Sequence, residues 1–247
     1  MTTYDGKKIV ITGGSTGIGL AAARLFADGG AHVLITGRTR STLDAALEQL
    51  GSRAIAVRSD AASLPDIKAL AGTVEERFGV VDALFVNAGV TASVPFGEVK
   101  EEMYDRLFDI NAKGPYFTVQ ALAPLLREGS GVVLTTSVVN VLGIDGTSVY
   151  SASKAALRSM TRTLARELLP RGVRVNAVSP GPIDTGILDR SLPADVAEVM
   201  KENDRTGNPM QRTGTPEEVA AAVAYLAFGA TFSTGTEFPV DGGVTQI

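Results

Sequence analysis

Seven short aliphatic runs, near 8–12, 32–36, 54–58, 83–87, 131–136, 173–178 and 236–240, alternate with helical patterns, and this limits the fold most. The helical patterns fall near 17–28, 40–50, 65–78, 101–126, 149–169 and 216–228. Strands that alternate with helices pair in parallel, and the helices cover both faces of the sheet. Right-handed crossovers put every strand's carboxyl end on one side, where ligands bind. The expectation is an α/β fold with a doubly wound, mostly parallel, seven-stranded sheet. No Pro/Gly/Ser-rich linker or charge run divides residues 1–247, so they read as one domain. The stretch 186–212, with two prolines and charges of both signs, reads as a substrate-binding lid.

The first strand pattern, Lys8–Thr12, enters Thr12-Gly13-Gly14-Ser15-Thr16-Gly17-Ile18-Gly19, and an Ala-rich helical stretch follows. Strand, glycine turn, helix is the context a dinucleotide phosphate requires, which makes the fold Rossmann-like. Glycines let backbone approach the pyrophosphate, and a helix N-terminus presents free N–H groups to it. The spacing here is G-x-x-x-G-x-G.

Tyr150-Ser-Ala-Ser-Lys154 puts a phenol and an ammonium on one helix face, with Ser137 thirteen residues upstream. A nearby ammonium favours a phenolate, so Lys154 is expected to lower the pKa of Tyr150. Such a phenol gives a proton to a carbonyl oxygen or takes one from an alcohol. Other chemistries have no residues to carry them. There are no cysteines and one histidine, His32, which leaves no Cys-ligated zinc, no His-based metal site and no Ser-His-Asp triad. With 23 Lys and Arg against 27 acids and no basic tract, nucleic acid is not an expected partner. No apolar run reaches membrane-spanning length, and Lys7-Lys8 before a glycine-interrupted strand is not a secretory signal. The expected location is cytoplasmic.

Proline interrupts the pattern at 101–126. Met103, Leu107, Ile110, Gly114, Phe117, Ala121 and Leu125 follow helical spacing, with Pro115 among them. Proline has no N–H to give the carbonyl four residues back, which belongs to Asn111.

Together these motifs resemble the short-chain dehydrogenase/reductase family, in its branch of about 250-residue single-domain enzymes. The likeness runs through Thr12–Gly19, Asn87-Ala88-Gly89, Asn111, Ser137, Tyr150-x-x-x-Lys154, and Pro180-Gly181 leading to Thr185. It implies Tyr150 as acid/base, Ser137 as the group polarising the substrate oxygen, and Lys154 on the nicotinamide ribose. It also implies a proton relay in which the Asn111 main-chain carbonyl holds a water. Cofactor contacts are implied for Gly13, Ser15, Thr16, Gly17, Ile18, Gly19, Arg38, Thr39, Asp60, Ala61, Asn87, Ala88, Gly89, Tyr150, Lys154, Pro180, Gly181, Ile183 and Thr185.

Gly37 stands where NAD-preferring relatives carry an acid, and Arg38 follows it, which points to NADP(H) over NAD(H). Ser15 departs from that pattern, because many NADP(H) relatives carry a basic residue there. Arg40 is a second phosphate ligand or surface charge.

Val90, Thr91, Val138 to Ile144, Val149, Pro182, Ile187 and Leu188 make a mostly apolar wall, which suits a hydrophobic ketone or secondary alcohol. Lid cations such as Arg190 and Lys201 leave a 3-oxoacyl carrier-protein or thioester substrate as the alternative, and a non-catalytic cofactor-binding regulator is a third reading. Three residues rather than six between Tyr150 and Lys154 disfavour an enoyl reductase, and the glycine spacing and shorter chain disfavour a sugar epimerase. The resemblance implies a homotetramer or dimer built on helices 101–126 and 149–169 and the C-terminal tail.

Overall fold

The computed structural model describes residues 3–191 and 193–247. Seven strands form one sheet in the order β3-β2-β1-β4-β5-β6-β7, with every neighbouring pair parallel. They are β1 (Lys8–Thr12), β2 (His32–Gly37), β3 (Ala54–Arg58), β4 (Val81–Val86), β5 (Leu126–Thr135), β6 (Arg174–Pro180) and β7 (Glu237–Val240). The strand order reverses direction between β1 and β4, and that switch point opens a crevice at the carboxyl ends.

Alternate side chains along each strand enter two separate cores. Ile9, Ile11, Val33 and Ile35 pack with α1 (Gly17–Asp28), α2 (Arg40–Leu50) and α9 (Pro216–Ala224). Val10, Leu34, Leu84 and Leu134 pack with α3 (Leu64–Phe78), α5 (Gly114–Leu122) and α6 (Ser148–Leu168) on the other face. Burial on both faces is why these strands read as nearly unbroken apolar runs. A fully buried Phe26 side chain contributes roughly 2–3 kcal/mol of transfer free energy.

The pattern at 101–126 is not one regular helix. It is α4 (Glu101–Phe108), a π-turn over Asp109–Lys113, α5, and a short tight turn over Ala123–Leu125. Pro115 has no N–H for an α-helical bond, and the ladder widens by one residue there, with the Gly114 N–H reaching the Asp109 carbonyl. β5 begins at Leu126, five residues before the expected start, and its register against β4 shifts between Val81 and Ala83. The exposed Arg127–Gly129 segment hides that early start from a reading based on apolar runs. Within 186–212 the chain forms α7 (Ile187–Ser191) and α8 (Ala194–Thr206); Leu192 and the Arg190 side chain lie outside the described residues.

Candidate active site

The crevice is built where β1, β4 and β5 end. The buried Thr12 hydroxyl accepts the N–H groups of Asn87 (3.0 Å) and Ala88 (3.1 Å), which ties the end of β4 to the end of β1. Asn87 Nδ2 donates to the Gly13 carbonyl at 3.1 Å, and the Thr135 hydroxyl reaches Asn87 Oδ1 at 3.3 Å. Gly13 has φ 64°, and a Cβ there would come within 2.9 Å of Ala88 Cα, so neither conformation nor space admits a side chain. Thr16 is extended, and α1 starts at Gly17 with its N-terminal N–H groups and positive dipole end facing the crevice. Thr185 folds over this turn, with its Cβ 3.2 Å from where a Gly17 Cβ would stand. Ile18 and Gly19 lie in the first turn of α1.

At the end of β2, Ser15 takes the room beside Gly37: a Cβ on Gly37 would lie 2.9 Å from Ser15 Oγ. The Thr42 hydroxyl lies 3.3 Å from that same Ser15 oxygen. Arg38 is exposed, and its carbonyl accepts from Arg58 Nε at 3.1 Å. Arg40 pairs with Asp44 at 3.0 Å along the surface of α2, which favours the surface-charge reading for it. Thr39 caps the start of α2 in extended conformation, and its carbonyl accepts from the Thr42 hydroxyl. Asp60 spends its carboxylate locally, accepting the Ala62 N–H at 3.0 Å, while Ala61 is packed against Gly114 of α5.

Ser137 follows β5 and opens a short turn over Val138–Asn140. Tyr150 lies in the first turn of α6 and is hydrogen-bonded to the Ser137 hydroxyl. Lys154, one turn on, is buried; its Nζ donates to the Thr135 carbonyl at 2.8 Å and stands 5.9 Å from the centre of the Tyr150 ring. The expected electrostatics need correction. Burial pushes the Tyr150 phenol above its ordinary value, and the influence that opposes it is the Ser137 hydrogen bond. Burial also pulls Lys154 down to about 8. An ammonium that is costly to hold charged, and turned toward a carbonyl, is a weak pull on the phenol.

Asn111 is fully buried, and its side chain clamps the irregular segment that leaves Gly89. Oδ1 accepts the Val90 N–H and Nδ2 donates to the Val90 carbonyl, both at 2.9 Å, with Ser153 Oγ at 3.2 Å from Nδ2. A Cβ on Gly89 would be 3.2 Å from Asn111 Oδ1 and 3.3 Å from Lys154 Nζ, so these residues meet at one point. Pro180 ends β6, and the Gly181 N–H donates to the Val240 carbonyl at 3.0 Å. Ile183 bridges to Gly214, holding the segment above the sheet edge. Together with Asn208 and Met210, Pro182 and Ile183 line a cavity of about 300 Å³.

Thr12 belongs to the recognised glycine-turn motif, whereas the hydroxyls of Thr135 and Ser153, which also fix this geometry, are not motif residues. Ser153 directly precedes Lys154 and Thr135 lies two residues before Ser137, which is the signal the sequence offers for them. Lys201 is bound to Asp189 at 2.6 and 2.7 Å, so this lid cation is already paired.

A family model described as enoyl-(acyl carrier protein) reductase matches residues 13–245. The oxidoreductase asL5 of Sarocladium schorii is 40% identical, over 98% of this chain and 97% of its own. The chain is a member of the short-chain dehydrogenase/reductase family. Another relative of this family chain, the 3-oxoacyl-[acyl-carrier-protein] reductase FabG of Thermotoga maritima, is 35% identical over 97% of this chain and 98% of its own. A solved short-chain dehydrogenase/reductase structure from Brucella melitensis, titled glucose/ribitol dehydrogenase, superposes with a TM-score of 0.91 at 35% identity, covering 99% of each chain. Membership makes this short-chain dehydrogenase/reductase an oxidoreductase of alcohol and carbonyl groups that uses a nicotinamide cofactor.

Proposed function

We propose that this chain is an NADP(H)-dependent carbonyl reductase that interconverts a hydrophobic ketone and its secondary alcohol. The observation that carries the reading is the hydrogen bond between Ser137 and Tyr150 with the buried Lys154 amine one helical turn away. The glycine turn, the N-terminus of α1 and the crevice lip at Asn87–Gly89 fit a dinucleotide: the chain packs so closely on itself at Gly13, Gly19 and Gly89 that no side chain can stand there without displacing a neighbour, and the helix start offers its free N–H groups to a pyrophosphate. When bound, the nicotinamide supplies or takes up the hydride. Tyr150 hands its proton to the oxygen that becomes an alkoxide, and Ser137 donates a hydrogen bond to the same oxygen. Donors aimed at growing negative charge stabilise the transition state more than the ground state. Lys154 holds the ribose side and returns a proton toward Tyr150, with Thr135 fixing its amine.

Preference for NADP(H) rests on Gly37 and on Arg38, whose guanidinium is exposed beside the place an acid would occupy in an NAD site. A hydrophobic substrate rests on the exposed Val141, Ile144 and Ile187 around the mouth. The segment 186–212 acts as the lid, and residues 1–247 act as one domain. We place the protein in the cytoplasm, as a homotetramer or dimer through α4 to α6 and the C-terminal tail, where Tyr104 stacks on Phe108 yet stays exposed. No described helix is long and apolar enough to cross a membrane.

A 3-oxoacyl thioester reductase is the second reading, favoured by the full-length likeness to a 3-oxoacyl-[acyl-carrier-protein] reductase. NADPH consumption with a panel of bulky ketones and with an acetoacetyl thioester separates the two. Faster turnover of the thioester replaces the first reading by the second, and no turnover of either class rejects both.

A further inference from the structure

Glu237, the first residue of the edge strand β7, joins three elements of the site through one carboxylate. Its Oε1 accepts from the Thr136 hydroxyl at 2.6 Å and from Asn140 Nδ2 at 2.7 Å. Its Oε2 lies 2.6 Å from Arg158 Nε, an ion pair in which the N–H does not point along the line to the oxygen. Only 13% of the Glu237 side chain is exposed, and Thr136 is buried. Thr136 and Asn140 bracket Ser137, whose carbonyl in turn accepts the Asn140 N–H at 3.1 Å. Arg158 sits on α6 one turn beyond Lys154, so Tyr150, Lys154 and Arg158 share one helix face.

We propose that Glu237 is a positioning residue for the reaction: it fixes the turn that carries Ser137 to the helix that carries Tyr150 and Lys154. A carboxylate removed this far from water is retained only where its partners satisfy it, and here those partners lie on both sides of the Ser137–Tyr150 contact. Two elements approach each other at that contact, and the carboxylate sets their spacing. Sub-ångström misplacement of reacting groups is costly to turnover while leaving remote binding surfaces intact. This inference rests on the reading that Ser137 and Tyr150 carry turnover.

The test combines kinetics with hydrogen exchange on the full chain. Glu237→Ala is expected to lower kcat about tenfold with KM and the NADPH dissociation constant within about twofold, as displacement of Ser137 alone requires. Glu237→Gln keeps an acceptor oxygen for Thr136 and Asn140 and recovers most of the loss. In a Ser137→Ala background, Glu237→Ala is expected to change kcat by less than about twofold, because the two changes act through one group. Deuterium exchange is expected to rise in peptides covering 136–142 and the start of α6, and not in the glycine turn. Independent, multiplicative losses in the double variant, or unchanged exchange at 136–142 in Glu237→Ala, overturn the proposal. If Ser137→Ala keeps wild-type turnover, it is the reading of the site that fails, and the exchange comparison still decides whether Glu237 sets the spacing.

Discussion

Lys154 Nζ donates to the carbonyl of Thr135 at 2.8 Å, in a buried position that holds the amine down to about 8. The amine is thus anchored to β5 rather than to the phenol above it. Burial of a cation disfavours the folded state while that cation stays charged. Its ordinary value is 10.5, so between about 8 and 10.5 the unfolded chain binds more protons than the folded one. Stability must therefore rise with pH through that window.

Lys154→Met removes this penalty. At pH 7 we expect the variant to be more stable than wild type, by about 1–3 kcal/mol after the lost Thr135 bond is offset, with turnover nearly abolished. The wild type should close the gap as pH rises from about 8 toward 10.5. Thermal melts across that range check it, and a gap that widens with pH contradicts the sign.

Ser137 is what draws the Tyr150 phenol down against burial. Ser137→Ala should lower turnover about 10²–10³-fold by removing a donor to the growing oxyanion. The residual alcohol oxidation, which needs the phenolate, should have its rising limb moved to higher pH. A pH profile of kcat measures this, and a shift toward acid would contradict the assigned cause.

Gly37 and Ser15 are coupled by contact, since a side chain at 37 meets the Ser15 hydroxyl. Gly37→Asp alone should weaken binding of both NADPH and NADH, whereas Ser15→Gly with Gly37→Asp should recover NADH binding. Arg38→Ala should weaken NADPH roughly 10–100-fold, the value of one charge-assisted contact, and leave NADH within about twofold. Titration of each reduced cofactor by fluorescence reads the outcome, and equal losses for both in Arg38→Ala contradict NADP(H) preference.

Asn111 satisfies both backbone groups of Val90. Asn111→Leu leaves a half-buried N–H and a half-buried carbonyl without their partners, which should cost about 1–3 kcal/mol. Chemical denaturation checks the loss, and a variant as stable as wild type contradicts the clamp.

The sheet was legible because parallel strands buried on both faces announce themselves as apolar runs, and β1, β3 and α1 to α2 fell where their residues placed them. Boundaries failed where polar residues belong to a strand, as at Arg127–Gly129, and where Pro115 turns one helix into two joined by a π-turn. Motif residues of the site were legible for the same reason that they are spaced: a helix turn separates Tyr150 from Lys154. Effects that depend on burial were not. Spacing cannot tell that Tyr150 itself is buried, which raises its phenol, nor that Lys154 is desolvated and turned to Thr135, so the shift on Tyr150 runs opposite to the expectation. Long-range partners such as Thr136 and Glu237, 101 residues apart, carry no local signal at all.

The central claim, proton transfer by Tyr150 to a ketone oxygen, is tested most directly by Tyr150→Phe. NADPH consumption and alcohol formation are followed together for wild type and variant, with the best ketone of the panel and a separate NADPH binding titration. The account predicts matched consumption and product in wild type, and a loss of about 10³-fold or more in the variant with NADPH affinity within about twofold. Turnover by Tyr150→Phe at the wild-type rate would contradict it.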